Sequence, residues 1–368
     1  MDAEQLGSRI RQERERARLS QIDLASKAEL DRTVMSKIES GVRKVTALEL
    51  MRIAEAVGIR MARFFEEPIP AIVSHRSSQG LDTAESQVDA ILDFFAHDVE
   101  FVLRLAPDAL VPSVPISDPF ASPQSADDAE ALAVAARRLL RLDDEEPVLR
   151  LQEVVSRLGL WALSMDFGPD TADAGSLLLK KGAVALVNSH NKVGRRRLAL
   201  AHELGHFLVQ DEYSVDWRVS DPGSGIEARL DRFARALLLP SVGFRSFWTN
   251  SLAQYGLRDA AVLTASRFQV DMSTLARRIG DLRLEGDGNA IRSTQTVGAD
   301  IVEHGLLVSN DLEGTSLPQQ YQRAIIGLYR AQQISVERAV ELLRGTLTDS
   351  DLPQRRKRVE GELWNFLG

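Results

Sequence analysis

The chain contains no cysteine. Disulfides, thiolate metal sites and cysteine nucleophiles are excluded together, and a reducing cytoplasm is the expected location. No apolar run approaches the ~18 residues of a membrane span. The opening residues, MDAEQLGSRIRQERERA, are charged throughout, so neither a signal peptide nor a membrane partner is expected. Solenoid-type repeats are missing as well. Excess positive charge is confined to one end. Residues 1–65 carry thirteen Lys/Arg against ten Asp/Glu, while the remainder carries 32 against 43. That asymmetry points to nucleic acid at the N-terminal end. What is present is a chain of 368 residues, 44% apolar, enough for two or three domains with sizeable cores.

Apolar residues from Leu6 and Ile10 through Ile53 and Val57 recur at helical spacing. Ser20 and Thr46 stand as N-caps, and Gly41 and Gly58 as helix stops. A helix at 20–28 meets one at 31–40 across a turn too short for antiparallel packing, so the two cross steeply. The second helix of such a pair enters the major groove of DNA. Arg32, Thr33, Ser36 and Lys37 fall on its outer face, and Val34, Met35 and Ile38 on its inner face. Gln21 opens the first helix, and Arg43 and Lys44 follow the second; all three suit phosphate contacts. Glu39 reads as a structural partner of basic residues. The competing reading is a helical domain used for protein contacts. The SQxxLA segment, the ending Ser36, Ile38, Glu39, Gly41, and the following Leu50, Ile53, Ala54, Ala56 resemble the lambda-repressor-like, XRE-type family. The resemblance implies a five-helix domain that binds palindromic double-stranded DNA as a homodimer.

Residues 69–127 read as a linker. Within it, 82–105 has the spacing of one amphipathic helix, and the proline- and serine-rich 106–127 is the clearest extended tether. Residues 128–168 read as helix and then strand, and 176–188 as a hairpin turning at Lys181-Gly182. Helices follow at 194–210 and 226–239. The fold class is mainly α with a small β-sheet. The expected domains are 1–68, an α+β unit at 128–248, and a helical region at 249–368. The last holds a helix-turn-helix-like pair at 258–283, read as packing without DNA contact, an irregular stretch at 284–317, and a helix pair at 318–346.

The stretch LALAHELGHFLVQ, residues 198–210, is the chemical centre. His202 and His206 share one helix face a turn apart, so both imidazoles reach one zinc ion. Glu203 lies beside the metal, within reach of a bound water, and Gly205 allows close approach. The bland alternative is polar residues facing outward from a buried helix. A catalytic zinc needs a third protein ligand. Glu227 opens the helix IEARLDRFARALLLP, with Asp231 one turn later, which supplies a ligand and a carboxylate to hold a histidine N–H. Alone, Glu227 reads as a solvated helix-start carboxylate.

Val187-Asn188, RRRLALAHELGHFL and ExxxDRFAxxLLLP together resemble the ImmA/IrrE-type zinc metallopeptidases over about residues 131–245. The resemblance implies a zincin-like domain with His202, His206 and Glu227 as zinc ligands and Glu203 as catalytic base. It also implies a protein substrate of the helix-turn-helix repressor class, in stress, mobile-element or phage-defence responses. Leu230 stands where that family more often has a small residue, and Leu198-Ala199-Leu200 where it usually has Phe-Thr. His190, Tyr213 and Arg196 are candidates to hold the developing oxyanion. The strand 183–188 is expected to accept extended substrate by edge addition. Cleavage within 106–127 would free the DNA-binding domain, although a separate repressor is the favoured substrate. Two further readings stay open: a non-proteolytic transcription factor using the zincin fold as sensor or dimerisation module, and an antitoxin of a toxin–antitoxin pair.

Overall fold

The computed structural model describes residues 2–17, 19–65, 73–76, 82–116, 118–169, 171–210 and 225–354. The chain divides into two units, Met1–Ile69 and Pro70–Gly368.

The first unit holds α1 (Ala3–Arg16), α2 (Gln21–Lys27), α3 (Arg32–Glu39) and α4 (Ala47–Val57). The fifth helix of the unit is a short 3₁₀ helix, Met61–Phe65. Asp2, Ser20 and Thr46 each accept a hydrogen bond from the backbone N–H three residues on, so the starts of α1, α2 and α4 are fixed locally. Ile10, Leu24, Met35, Ile38, Leu50, Ile53 and Phe64 form one core. Glu39 is 2% exposed. Arg14 grips it with Nε at 2.6 Å and Nη2 at 3.1 Å, and the Gln21 side-chain amide donates to it at 2.8 Å. That network ties α1, α2 and α3 together through one carboxylate.

The second unit begins with β1 (Val73–Arg76) and α5 (Asp82–Leu105). Then come α6 (Ala126–Leu139), α7 (Leu151–Ser156), β2 (Leu160–Met165), β3 (Ala174–Leu178) and β4 (Ala183–Asn188). The metal-motif helix α8 (Val193–Val209) and α9 (Ile226–Leu238) follow. The remainder is α10 (Ser241–Phe268), broken at Gly256, then α11 (Met272–Asp281), α12 (Gly288–Ser293), α13 (Gly298–His304), α14 (Gln319–Arg330) and α15 (Val336–Leu342).

The sheet runs in the order β1-β3-β4-β2. β3 and β4 form the expected hairpin, closed by Leu179 N–H donating to the Gly182 carbonyl. Gly182 has φ +78°, and a Cβ there would sit 2.4 Å from the Gly159 carbonyl, so only glycine fits. β2 pairs with β4 in parallel. β4 is therefore an interior strand with both edges taken, and it cannot receive a substrate by edge addition as the sequence suggested. The outer edge of β2 is bridged at Ser164 by Ser316. β1 occupies the outer edge of β3, antiparallel, with Ser74 opposite Ser176. α8 packs against the sheet, and α5 also lies against β3 and β4.

The linker expected over 69–127 is largely structured. Besides β1 and α5, the proline-rich part is packed down. Leu110 is buried, and Val114, Ile116 and Phe120 lie against the main core. Val114 N–H donates to the Arg157 carbonyl, and Phe120 N–H to the Leu208 carbonyl at the end of α8. The segment runs through a turn at 107–110 and bends at 113–114, and its apolar residues bind it to the domain rather than leaving an extended tether.

The boundary expected near 248 falls inside one core. Ala260, Ala261 and Phe268 of α10, Leu275 and Ile279 of α11, and Ile291 of α12 join the same cluster as β2, β4 and α8. The pair α10–α11 therefore packs into the domain. Residues 284–317 contain two short helices, α12 and α13, rather than irregular chain alone. α14 and α15 dock on α5: Arg338 and Arg344 both donate to buried Asp98, and Phe95 meets Tyr321 edge-on at 5.5 Å.

Candidate metal centre and nucleic-acid interface

Helix α8 is buried along most of its length, so its polar residues face protein rather than bulk water. Its approach to α9 depends on Gly205. A Cβ at that position would sit 2.9 Å from Phe233 Cδ1 and 3.1 Å from Leu230 Cδ2. The large Leu230 thus fills the space that Gly205 vacates. This contact sets Glu227 and Asp231 of α9 opposite His202 and His206 of α8.

The donor atoms converge. His202 Nε2 lies 3.0 Å from His206 Nε2 and 3.0 Å from Glu227 Oε2, and His206 Nε2 lies 3.5 Å from the same oxygen. All three candidate ligand atoms fall within 4.8 Å of one another. On the far side of the ring, His202 Nδ1 lies 2.9 Å from Asp231 Oδ1. A neutral imidazole that donates its Nδ1–H to a carboxylate turns a lone pair on Nε2 toward its other neighbours. Here those neighbours are another imidazole nitrogen and a carboxylate oxygen. Such a set of acceptors fits a cation at their centre, and two imidazoles with one carboxylate are a donor set for zinc.

Burial disfavours the charged form of Glu227, but the close contacts with His202 and His206 outweigh it and hold its carboxyl well below the usual range. Glu203 is fully buried. Its Oε2 accepts from the Ser176 hydroxyl at 2.6 Å, and its Oε1 is buried without a hydrogen-bond partner among the described residues. One carboxylate oxygen is thus anchored to β3 while the other remains available to a ligand. Ser176 was not singled out in the sequence. A lone serine in SLLLKKGAVALVN carries no signal, and only the sheet register places it under Glu203.

The proposed oxyanion residues fare differently. Arg196 spends its guanidinium on the carbonyls of Ser189, Asn191 and Asp311. His190 lies half-exposed, 3.3 Å from Asp166. Tyr213 lies outside the described residues. The sequence also gave no notice of Arg197, which is fully buried and held by Asp311 at 2.5 Å, pinning α8 to the segment before α14.

In the first unit, Arg32, Thr33, Ser36 and Lys37 form the exposed face of α3, with Met35 and Ile38 buried behind them. Lys44 is exposed. Arg43 donates to Glu49 at 2.8 Å, and Gln21 gives its amide to Glu39, so both side chains have internal partners.

Two short packed helices, α2 and α3, the second with a polar outer face, are the arrangement of a helix-turn-helix DNA-binding domain. The α8–α9 arrangement defines a metallopeptidase-type domain. The comparisons agree: residues 10–64 match the Helix-turn-helix family, and residues 155–280 match the IrrE N-terminal-like domain family. The chain is therefore a fusion of an XRE-type helix-turn-helix domain with an ImmA/IrrE-type domain. The latter match extends past 248 to the end of α11, as the shared core does. Among solved structures, the chain is similar to the restriction-modification controller protein C.AhdI from Aeromonas hydrophila. That match has 32% identity and a TM-score of 0.17, and covers 17% of this chain and 96% of that one. It is also similar to the apo form of the competence regulator ComR from Streptococcus vestibularis. There identity is 15% and TM-score 0.17, with 83% of this chain and 99% of that one covered. No curated protein matches the chain. No described helix is long and apolar enough to cross a membrane.

Proposed function

We propose that the protein is a transcriptional regulator whose second unit is a zinc-dependent endopeptidase acting on a helix-turn-helix repressor. The observation that carries this reading is the convergence of His202, His206 and Glu227 beside a buried glutamate with one unpartnered oxygen. A site that merely held metal for stability would not need Glu203 there. His202, His206 and Glu227 would hold the zinc, and Asp231 would orient His202. When bound, the metal would supply Lewis acidity toward water and the scissile carbonyl. Glu203 takes a proton on Oε1 from the attacking water and returns it to the leaving nitrogen, while Ser176 keeps the carboxylate in place. In the first unit, Arg32, Thr33, Ser36 and Lys37 read base edges of a palindromic operator in a homodimer, and Lys44 contacts phosphate. Arg43 and the start of α2 at Gln21 support the same backbone contacts.

The packed state of 106–127 favours a substrate in trans over self-cleavage there, because a metallopeptidase cleft takes extended, accessible backbone. The test uses zinc-loaded wild-type and Glu203→Gln proteins with purified helix-turn-helix repressors, and maps fragments by mass spectrometry. The expected result is cleavage by the wild type alone. Equal cleavage by Glu203→Gln, or none by either, overturns the peptidase reading.

A further inference from the structure

β3 is the strand that touches the chemistry, and β1 lies along its outer edge. Ser176 on β3 reaches Glu203 at 2.6 Å, and β3 packs on α8, the helix that carries both histidines. An edge strand beside a catalytic group is where an extended polypeptide adds by backbone hydrogen bonds. On β2, at the far side of the sheet, the outer edge is bridged at Ser164 by Ser316. In this protein the edge of β3 is already taken. Val73–Arg76 pairs with Leu177–Ala174 in antiparallel register, and β1 also lies against α8. This strand comes from the stretch that joins the two units, just past the boundary at Ile69.

We propose that Val73–Arg76 is an internal pseudosubstrate: it occupies the edge of β3 beside Glu203, so another extended polypeptide enters only when it leaves. The inference rests on the peptidase reading for its purpose, but the competition for the edge is a matter of geometry alone. Four residues form a short ladder, which is a weak hold by itself. Attachment in cis compensates, since a short tether gives an effective concentration on the order of millimolar. A free competitor must beat that figure, or something must pull the strand away. The partner that fits is an unfolded or extended polypeptide segment, read mainly through its backbone.

The experiment uses the full chain with Glu203→Gln, free of metal. In one variant Ser74→Pro and His75→Pro are combined. Successive N–H groups point to opposite sides of a strand, so one proline must remove a donor that faces β3. A second variant replaces residues 73–76 by glycine and serine. The probe is a fluorescein-labelled synthetic peptide, AIVSHRSSQ, the sequence of residues 71–79, followed by anisotropy. Amide exchange of β3 is measured in parallel, with interior strand β4 as the control for intact folding. Both variants are expected to bind the probe at least tenfold more tightly than the parent. Their β3 amides should exchange at least tenfold faster, and the probe should restore protection. Equal probe binding by all three chains, or β3 exchange unchanged in variants with protected β4, overturns the inference. Neither readout needs metal or cleavage. A chain that cuts nothing yet shows both effects keeps this inference and loses the peptidase reading, and an active peptidase with an indifferent β3 does the reverse.

Discussion

His202 Nδ1 and Asp231 Oδ1 lie 2.9 Å apart across the interface of α8 and α9. That bond fixes the ring of a candidate metal ligand and leaves its Nε2 for the cation. Removing such a carboxylate costs 10–100-fold in metal affinity in comparable sites. Asp231→Ala is therefore expected to weaken zinc binding about 10–100-fold without abolishing it. Competition with a chromophoric chelator measures this directly, and an unchanged affinity would remove Asp231 from the site.

Gly205→Ala sets two effects against each other. Alanine in a helix interior gains about 1 kcal/mol over glycine. Against that, the new methyl would meet Phe233 at 2.9 Å and Leu230 at 3.1 Å in a fully packed interface. Overpacking of this kind costs about 1–3 kcal/mol. The expected net result is a lower unfolding midpoint for the second unit and looser zinc, because α9 is pushed off α8. A stabilised variant with unaltered zinc affinity would show that the interface relaxes freely.

Glu39→Ala removes a buried partner of both Arg14 and Gln21, while Arg14 keeps the Leu19 carbonyl. Breaking a buried pair costs about 3–5 kcal/mol. Arg14 keeps an 11% exposed side chain and regains some water, so the low end, about 3 kcal/mol, is expected. Denaturant unfolding of the first unit reads the loss. Glu39→Gln should recover part of it, since an amide still accepts from both donors.

For DNA, Arg32→Ala should cost about 1–3 kcal/mol at one base pair and relax preference there. Lys44→Ala should weaken all sequences alike and lower the salt dependence by about one unit. Binding titrations across salt and operator variants separate the two. Uniform weakening by Arg32→Ala would move that residue from base reading to the backbone.

Where neighbours in sequence are neighbours in space, the residues announced the structure. Ser20 and Thr46 cap the helices they precede, Gly182 turns the hairpin, and His202 and His206 share a face because helix pitch puts them there. Helical spacing also put Glu227 and Asp231 on one face of α9, but their place beside α8 was an expectation carried by the family resemblance. Ser176 was not, because its contact with Glu203 depends on strand register. Composition misdirected the reading at 106–127. Prolines break helix there, but Leu110, Val114 and Phe120 decide whether the chain is bound or free. For β1, four residues with no alternating pattern become a strand only because β3 offers an edge. Likewise β4 looked like an available strand, and only the sheet order shows it enclosed.

The most direct measurement is zinc content by elemental analysis of the purified full chain and of His206→Ala, each folded by circular dichroism. The account predicts one zinc per chain in the wild type and loss of that zinc in the variant. A wild-type chain that takes up no zinc, or a His206→Ala chain that keeps a full equivalent, would contradict it.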